Sequence, residues 1–207
     1  VDLSVVGDQS PDEDATVDLQ PGHSGAAAQC DAEGDCTFSH WRVLDTRFWV
    51  HPAYDQVFGE DWDPGSSVTV EVFESDQLTL KGSASPATDG EGRFDVYLQD
   101  ELVPVDVVAG DWIVVSQGGT VKNHSVLLLT ADADPDTDVI FGTTSLFNVP
   151  AFHDVDVWMT DGPVSTVTPN SGTGDWSADY GGDHGIDLRP GDWGRVDQPD
   201  DDGDRTQ

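Results

Sequence analysis

The sequence predicts an all-β protein built from two tandem β-sandwiches. Three observations carry that expectation. Short runs rich in Val, Ile, Thr and aromatic residues recur at about ten-residue spacing. Gly, Pro, Asp and Ser clusters separate them. No stretch shows helical periodicity, and none between the runs suits a crossover helix, which argues against a parallel α/β sheet.

Taken in order, SVTVEVF at 67–73 and RFDVYLQ at 93–99 alternate, so each offers one face to a core and one to solvent. DWIVVSQ (111–117), HSVLLLT (124–130), TDVIFGT (137–143) and HDVDVWM (153–159) follow, each bounded by turn residues. Trp62, Trp112, Trp158 and Trp176 lie in or beside strands and are expected in the cores. Trp41, Trp49 and Trp193 fall near the edges of the predicted sandwiches.

The chain of 207 residues is long enough for one large or two small domains. Its 41 acidic and 8 basic residues give a formal charge of −33. Such a field repels nucleic acid and anionic membranes and favours solubility, bound cations or basic partners. It fits a salt-adapted or calcium-rich environment. No apolar run reaches the ~20 residues of a membrane helix. The first residue is Val1 and no signal-peptide pattern follows, which reads as a processed protein or an excised piece. Two close cysteines and a single Met fit an oxidising exterior. The sequon Asn123-His124-Ser125 is of a kind that arises by chance.

An internal repeat organises the chain. VDLQPGHSGAAAQCDAEGDCT (17–37) aligns without a gap on IDLRPGDWGRVDQPDDDGDRT (186–206), with ten identities in 21 positions. A fainter copy, AGDWIVVSQGG (109–119), keeps the spacing of Gly110 to Gln117 found in Gly22 to Gln29 and Gly191 to Gln198. The fronts of the units correspond as well: DQVFGEDWDPGSSVTVEVF (55–73) resembles TDVIFGTTSLFNVPAFHDVDVW (137–158), at an offset of 81 to 83 residues. That period is the size of one small sandwich, and a fixed period marks tandem modules. The expected organisation is an N-terminal arm over 1–40 that ends a partial repeat, a first sandwich over 41–130 and a second over 131–207.

Units reading V-x-G-x-x-x-x-P-G-S-x-V-T-V, then D-G-x-G-x-F, then P-G-x-x-x-x-x-x-Q-x-D-x-D-G-D resemble the immunoglobulin-like modules of large secreted bacterial surface proteins. The resemblance covers about residues 45–207, and the first 40 residues are similar to the tail of a preceding module. It implies an immunoglobulin-like fold and an extracellular spacer, adhesive or wall-associated role, with no common active site. The second module departs from the pattern where NVPAFHDV replaces Pro-Gly-Ser.

Several residue groups are weighed for chemistry. Cys30 and Cys36 flank a turn whose counterpart is flanked by Pro199 and Arg205, an unlikely exchange for a catalytic dithiol. A local disulfide worth about 2 kcal/mol or less is expected instead, and zinc lacks two further ligands at finger spacing. Calcium is the sharpest chemical candidate. Its ligands would come from Asp31, Glu33 and Asp35, from Asp132, Asp134 and Asp136 between the modules, and from Asp200, Asp202 and Asp204. Against this, acidic turns are ordinary in so acidic a chain, and the EF-hand spacing puts His40 where a bidentate Glu belongs. The six histidines form no His-Glu-x-x-His pair, and there is no nucleophile elbow, P-loop or dinucleotide fingerprint. Asp183-His184 and His51 with Asp55 are pairs of the kind chance supplies, so no enzyme is expected. Trp41, Trp49 and Trp193 could stack on sugar rings, although packing at module junctions is the preferred reading.

The sequence thus points to a secreted or surface-located, non-enzymatic structural or adhesive protein, a spacer or fibre subunit. The alternative is a calcium- or carbohydrate-binding accessory module of a larger secreted protein. Its partners are then neighbouring repeats or further copies in a linear array, or a surface polysaccharide. An isolated hairpin with an open edge is marginal in water, so the arm must fold back, continue a longer chain or pack on another copy. Head-to-tail packing gives an open filament.

Overall fold

A computed structural model describes residues 19–100, 104–145, 154–160 and 162–207. His153 and most of the NVPAFHDV segment lie outside the described residues. The chain divides into two compact units, Val1–Thr46 and Arg47–Gln207.

The first unit holds the antiparallel strands β1 (Ser24–Cys30) and β2 (Cys36–Arg42). Their last facing pair is Cys30 and Cys36, which are joined by a disulfide.

The second unit begins with seven strands in one order: β3 (Arg47–His51), β4 (Gln56–Glu60), β5 (Thr69–Phe73), β6 (Leu80–Ala84), β7 (Phe94–Tyr97), β8 (Trp112–Gln117) and β9 (Thr120–Ser125). A second set repeats it: β10 (Asp132–Asp134), β11 (Val139–Thr143), β12 (Val155–Met159), β13 (Val164–Val167), β14 (Asp175–Asp179), the short helix α1 (Tyr180–His184), β15 (Gly194–Pro199) and β16 (Arg205–Thr206). In the first set β3-β4-β7 and β6-β5-β8-β9 enclose a core of Phe48, Val50, Val57, Val70, Val72, Phe94, Ile113 and Val115. In the second, β10-β11-β14 and β13-β12-β15-β16 enclose Ile140, Val155, Val157, Trp176 and Tyr180. Three strands against four in this order is an immunoglobulin-like sandwich, and the protein carries two in tandem. Strands β3, β4, β5 and β8 alternate between buried and half-buried residues, as a face packed on a core requires.

The repeated sequence signals correspond to repeated turns. Gly22, Gly110 and Gly191 all have positive φ, at 82°, 95° and 103°. In each copy the next residue caps the turn: Gln20 N donates to His23 Nδ1 at 3.0 Å, Val108 N to Asp111 Oδ2 at 2.9 Å and Arg189 N to Asp192 Oδ2 at 2.8 Å. Seven residues after the glycine stands a glutamine. Gln117 is buried and binds both the N–H and the carbonyl of Asp63. Gln198 is buried and accepts from the Thr144 hydroxyl. The glutamine of the repeat pins the loop after the second strand of its sandwich.

Some expectations need correction. The run 124–130 is not a strand throughout: β9 ends at Ser125. Val126 and Leu127 are buried beyond it, and their N–H groups reach the Asp111 carbonyl at 2.8 Å and Thr206 Oγ1 at 3.0 Å. The acidic segment 132–138 is a hairpin within the second sandwich, because Asp132–Asp134 pairs with β11. Trp62 and Trp176 are buried, but Trp112 and Trp158 are only half-buried. Both occupy outward positions of their strands, and the Arg195 guanidinium lies 5.0 Å from the Trp158 ring centre.

Strand β16 departs from a simple tandem. It pairs antiparallel with β15 of its own sandwich and parallel with β3 of the first, Arg205 facing Trp49 and Thr206 facing Val50. The result is one seven-stranded sheet through both sandwiches, in the order β13-β12-β15-β16-β3-β4-β7.

Candidate docking and cation site

The loop between β15 and β16 is built around Asp200. Its N–H donates to the Asp204 carbonyl at 2.8 Å, and Gly203 N donates to the Asp200 carbonyl at 3.2 Å. Its Oδ1 accepts from Asp202 N at 3.2 Å and from Asp204 N at 3.0 Å. The loop Asp31 to Asp35 makes the same four bonds through Asp31, and the loop Asp89 to Arg93 makes them through Asp89. The first Asp of each loop is therefore a turn-former whose side chain satisfies backbone donors. That accounts for the first carboxylate of each of these loops without any ion.

The position of the 200–204 loop distinguishes it. It lies against β3 and β9 of the first sandwich. Phe48 N donates to Asp204 Oδ1 at 2.9 Å. Lys122 Nζ donates to the Asp202 carbonyl at 2.8 Å and sits 2.8 Å from Asp202 Oδ2 and 3.6 Å from Asp204 Oδ2. His124, almost fully buried, places Nδ1 2.7 Å from Asp200 Oδ2 and Nε2 2.8 Å from Thr206 Oγ1. Thr206 Oγ1 also accepts from Leu127 N, and Gln207 N donates to the Val50 carbonyl at 2.9 Å. The opposite face of the hairpin serves its own sandwich, where Arg205 Nη1 binds Asp197 and, at 3.0 Å, Asp156 Oδ2.

Burial dominates the electrostatics. It pushes the Asp204 carboxyl up to about 8, against the pull of Lys122 and the Phe48 amide. Asp202 is also raised, by burial and by its neighbour Asp200. For Asp200 burial acts in the same direction, but the hydrogen bonds with His124 and Asp202 outweigh it and hold the carboxyl below the usual range. Asp204 is fully buried, and among the described residues its Oδ2 has no hydrogen-bond partner.

One oxygen each from Asp200, Asp202 and Asp204 lie within 4.8 Å of one another, and oxygen donors suit a hard cation. Among the described residues no other three acidic or histidine side chains gather so closely. Asp31, Glu33 and Asp35 are exposed on their hairpin, and Asp132, Asp134 and Asp136 are spread along the β10–β11 turn, where Asp134 accepts from Asp136 N. Trp49 stacks flat on Phe58, with centroids 4.8 Å apart, beneath the Arg47 guanidinium. Trp193 is 68% exposed and lines a cleft with Trp158 and Leu188 in which Trp49 has no part. Trp41 sits on the hairpin and is partly exposed. His51 and Asp55 are tied into the fold: the imidazole packs edge-on to Phe58, and Asp55 Oδ1 accepts from Val107 N.

Phe48, Lys122, His124 and Thr206 escaped the sequence reading. One available signal was that Lys122 is among only eight basic residues.

No family model matches the chain, and no curated protein sequence is similar to it. Three solved structures resemble it at low identity. The first is a tetra-tandem repeat in the extending region of a large adhesion protein, with 15% identity over 90% of this chain and 54% of that one and a TM-score of 0.24. The second is the FN1-FN3 domains of chicken CNTN1, with 7% identity over 93% of this chain and 74% of that one and a TM-score of 0.29. The third is a 1.5-MDa bacterial ice-binding adhesin, with 14% identity over 88% of this chain and 71% of that one and a TM-score of 0.22. The chain spans about half the length of the first of these, 54%. Among the described residues no helix is long and apolar enough to cross a membrane.

Proposed function

We propose that the chain is a non-enzymatic segment of an extracellular repeat protein, acting as an acidic spacer or as an adhesive or fibre subunit in a linear array of neighbouring repeats. The supporting observation is the repetition itself. Seven strands recur in the same order, and the hairpin that closes each sandwich has a counterpart in β1–β2, down to the capped glycine turn. The shared sheet through β16 suits a spacer, because it stiffens the join between sandwiches. Immunogold labelling and protease shaving of intact source cells test the reading. Surface labelling that shaving removes is expected, and protein confined to the cytoplasm would sink it.

One observation favours a second reading, a calcium-binding module: the buried Oδ2 of Asp204, which among the described residues accepts no hydrogen bond, lies beside Asp200 and Asp202. Those three residues would hold the ion. Lys122 already supplies an ammonium there, so a divalent ion must displace it. A thermal midpoint that drops on adding chelator supports calcium, and an unchanged midpoint removes it.

A further inference from the structure

We propose that the β1–β2 hairpin is a second docking hairpin, and that it binds the β3–β9 edge of a second copy of this chain. The proposal deepens the repeat reading and rests on it for the equivalence of the two hairpins.

Within one chain, the β15–β16 hairpin shows what the β3–β9 edge accepts. Four side chains make the contact: Asp200 to His124, Asp202 to Lys122, Asp204 to the Phe48 amide, and Thr206 to His124 and the Leu127 amide. Their counterparts in β1–β2 are Asp31, Glu33, Asp35 and Thr37, which are three identities and one acid for acid. All four are exposed. The loop that aims them has the same hydrogen bonds in both hairpins.

The differences fall on the residues that tie β15–β16 to its own sandwich. Val196 packs on the second core, Asp197 is buried, and Arg205 binds Asp197 and Asp156. Their counterparts are Ala27, Ala28 and Cys36, which could make none of these contacts. The hairpin thus keeps the side chains that face a neighbouring sandwich and lacks most of those that face its own. Gln29, matching Gln198, is the exception. The Cys30–Cys36 disulfide stands where Pro199 and Arg205 meet, so it holds by a covalent link a hairpin without the side chains that fasten β15–β16 to its sandwich. Strand β2 pairs only with β1 among the described residues, which leaves its outer edge open for the parallel pairing β16 makes with β3.

In one copy the β3–β9 edge is taken by β15–β16, whose tether gives it a large effective concentration. Exchange between copies therefore shows when that clasp is weakened. Asp202→Asn with Thr206→Val loosens it without touching Lys122, His124 or β1–β2. In sedimentation equilibrium, self-association of the full-length double variant is expected to be at least about tenfold stronger than that of the unaltered chain. Adding Glu33→Gln, Asp35→Asn and Thr37→Val should return it to monomer. Carbodiimide coupling in a mixture of isotope-labelled and unlabelled copies should join Glu33 of one to Lys122 of another. A folded double variant that stays monomeric, association that survives the hairpin substitutions, or coupling only within copies each overturns the proposal. If the double variant does not fold, Asp202→Asn alone is read in the same two ways. A chain found on the cell surface but monomeric in every variant would sink the docking and leave the spacer standing.

Discussion

Among the described residues the fully buried Asp204 carboxyl has one hydrogen-bond donor, the Phe48 amide, and a lysine 3.6 Å from its other oxygen. Its pKa stands at about 8 in the folded protein, against 3.8 for an ordinary aspartate. The folded form therefore holds the proton between those values, so this group's contribution to stability falls as pH rises through the window and levels off above it. His51, lowered by burial, acts in the opposite sense, but only below its usual 6.5. The thermal midpoint is expected to fall between about pH 6.5 and about pH 8.5, and Asp204→Asn to flatten that slope, an effect of about 2 kcal/mol. Calorimetry across the range checks it, and equal slopes in both proteins would count against it. The acidic residues of this site were visible in the sequence as a cluster. Lys122 and His124 were not, because a contact across about eighty positions depends on which strand lies beside which.

At the scale of elements, the glycine of D-G-x-G-x-F was legible because backbone geometry demands it. Gly92 and Gly174 have φ of 76° and 77°, and a Cβ on either would come within 2.1 Å of a carbonyl, that of Trp62 or of Thr144. A Cβ on Gly118, at φ 58°, would meet nothing within 4 Å among the described residues beyond its chain neighbours. Chemical denaturation should show Gly92→Ala and Gly174→Ala each costing more than about 3 kcal/mol, against about 1 kcal/mol for Gly118→Ala. Similar costs at all three would mean that steric contact is not the cause. The β1–β2 hairpin gives a second expectation. Reduction should raise amide exchange in residues 24–42 and leave residues 47–207 unchanged, since the disulfide closes the hairpin alone. The 132–138 hairpin was misread because an acidic, Pro-containing run looks the same as a linker or as a tight turn.

For the whole molecule, the tandem sandwiches were legible from a fixed period of turn signals, which each sandwich needs separately. The shared sheet was not, since β16 contributes only two residues, and their parallel partner is set by tertiary packing. The charge of −33 acts at this scale too. Self-repulsion weakens the compact state, and salt screens it over a Debye length of roughly 8 Å at physiological strength. Raising potassium chloride from about 0.05 M to about 1 M should lift the thermal midpoint by several degrees, about 1–2 kcal/mol. A midpoint insensitive to salt would show the acidic surface to be energetically neutral.

The parallel pairing of β16 with β3 has a mechanical consequence. Tension on the second unit enters at Arg47, where β3 begins, and leaves at Gln207, just past β16. Because the two strands run the same way, that pull slides one along the other and does not peel them apart. The Gln207–Val50 and Asp204–Phe48 bonds then bear the load together and fail together, while the sandwiches behind them stay slack until the clasp shears.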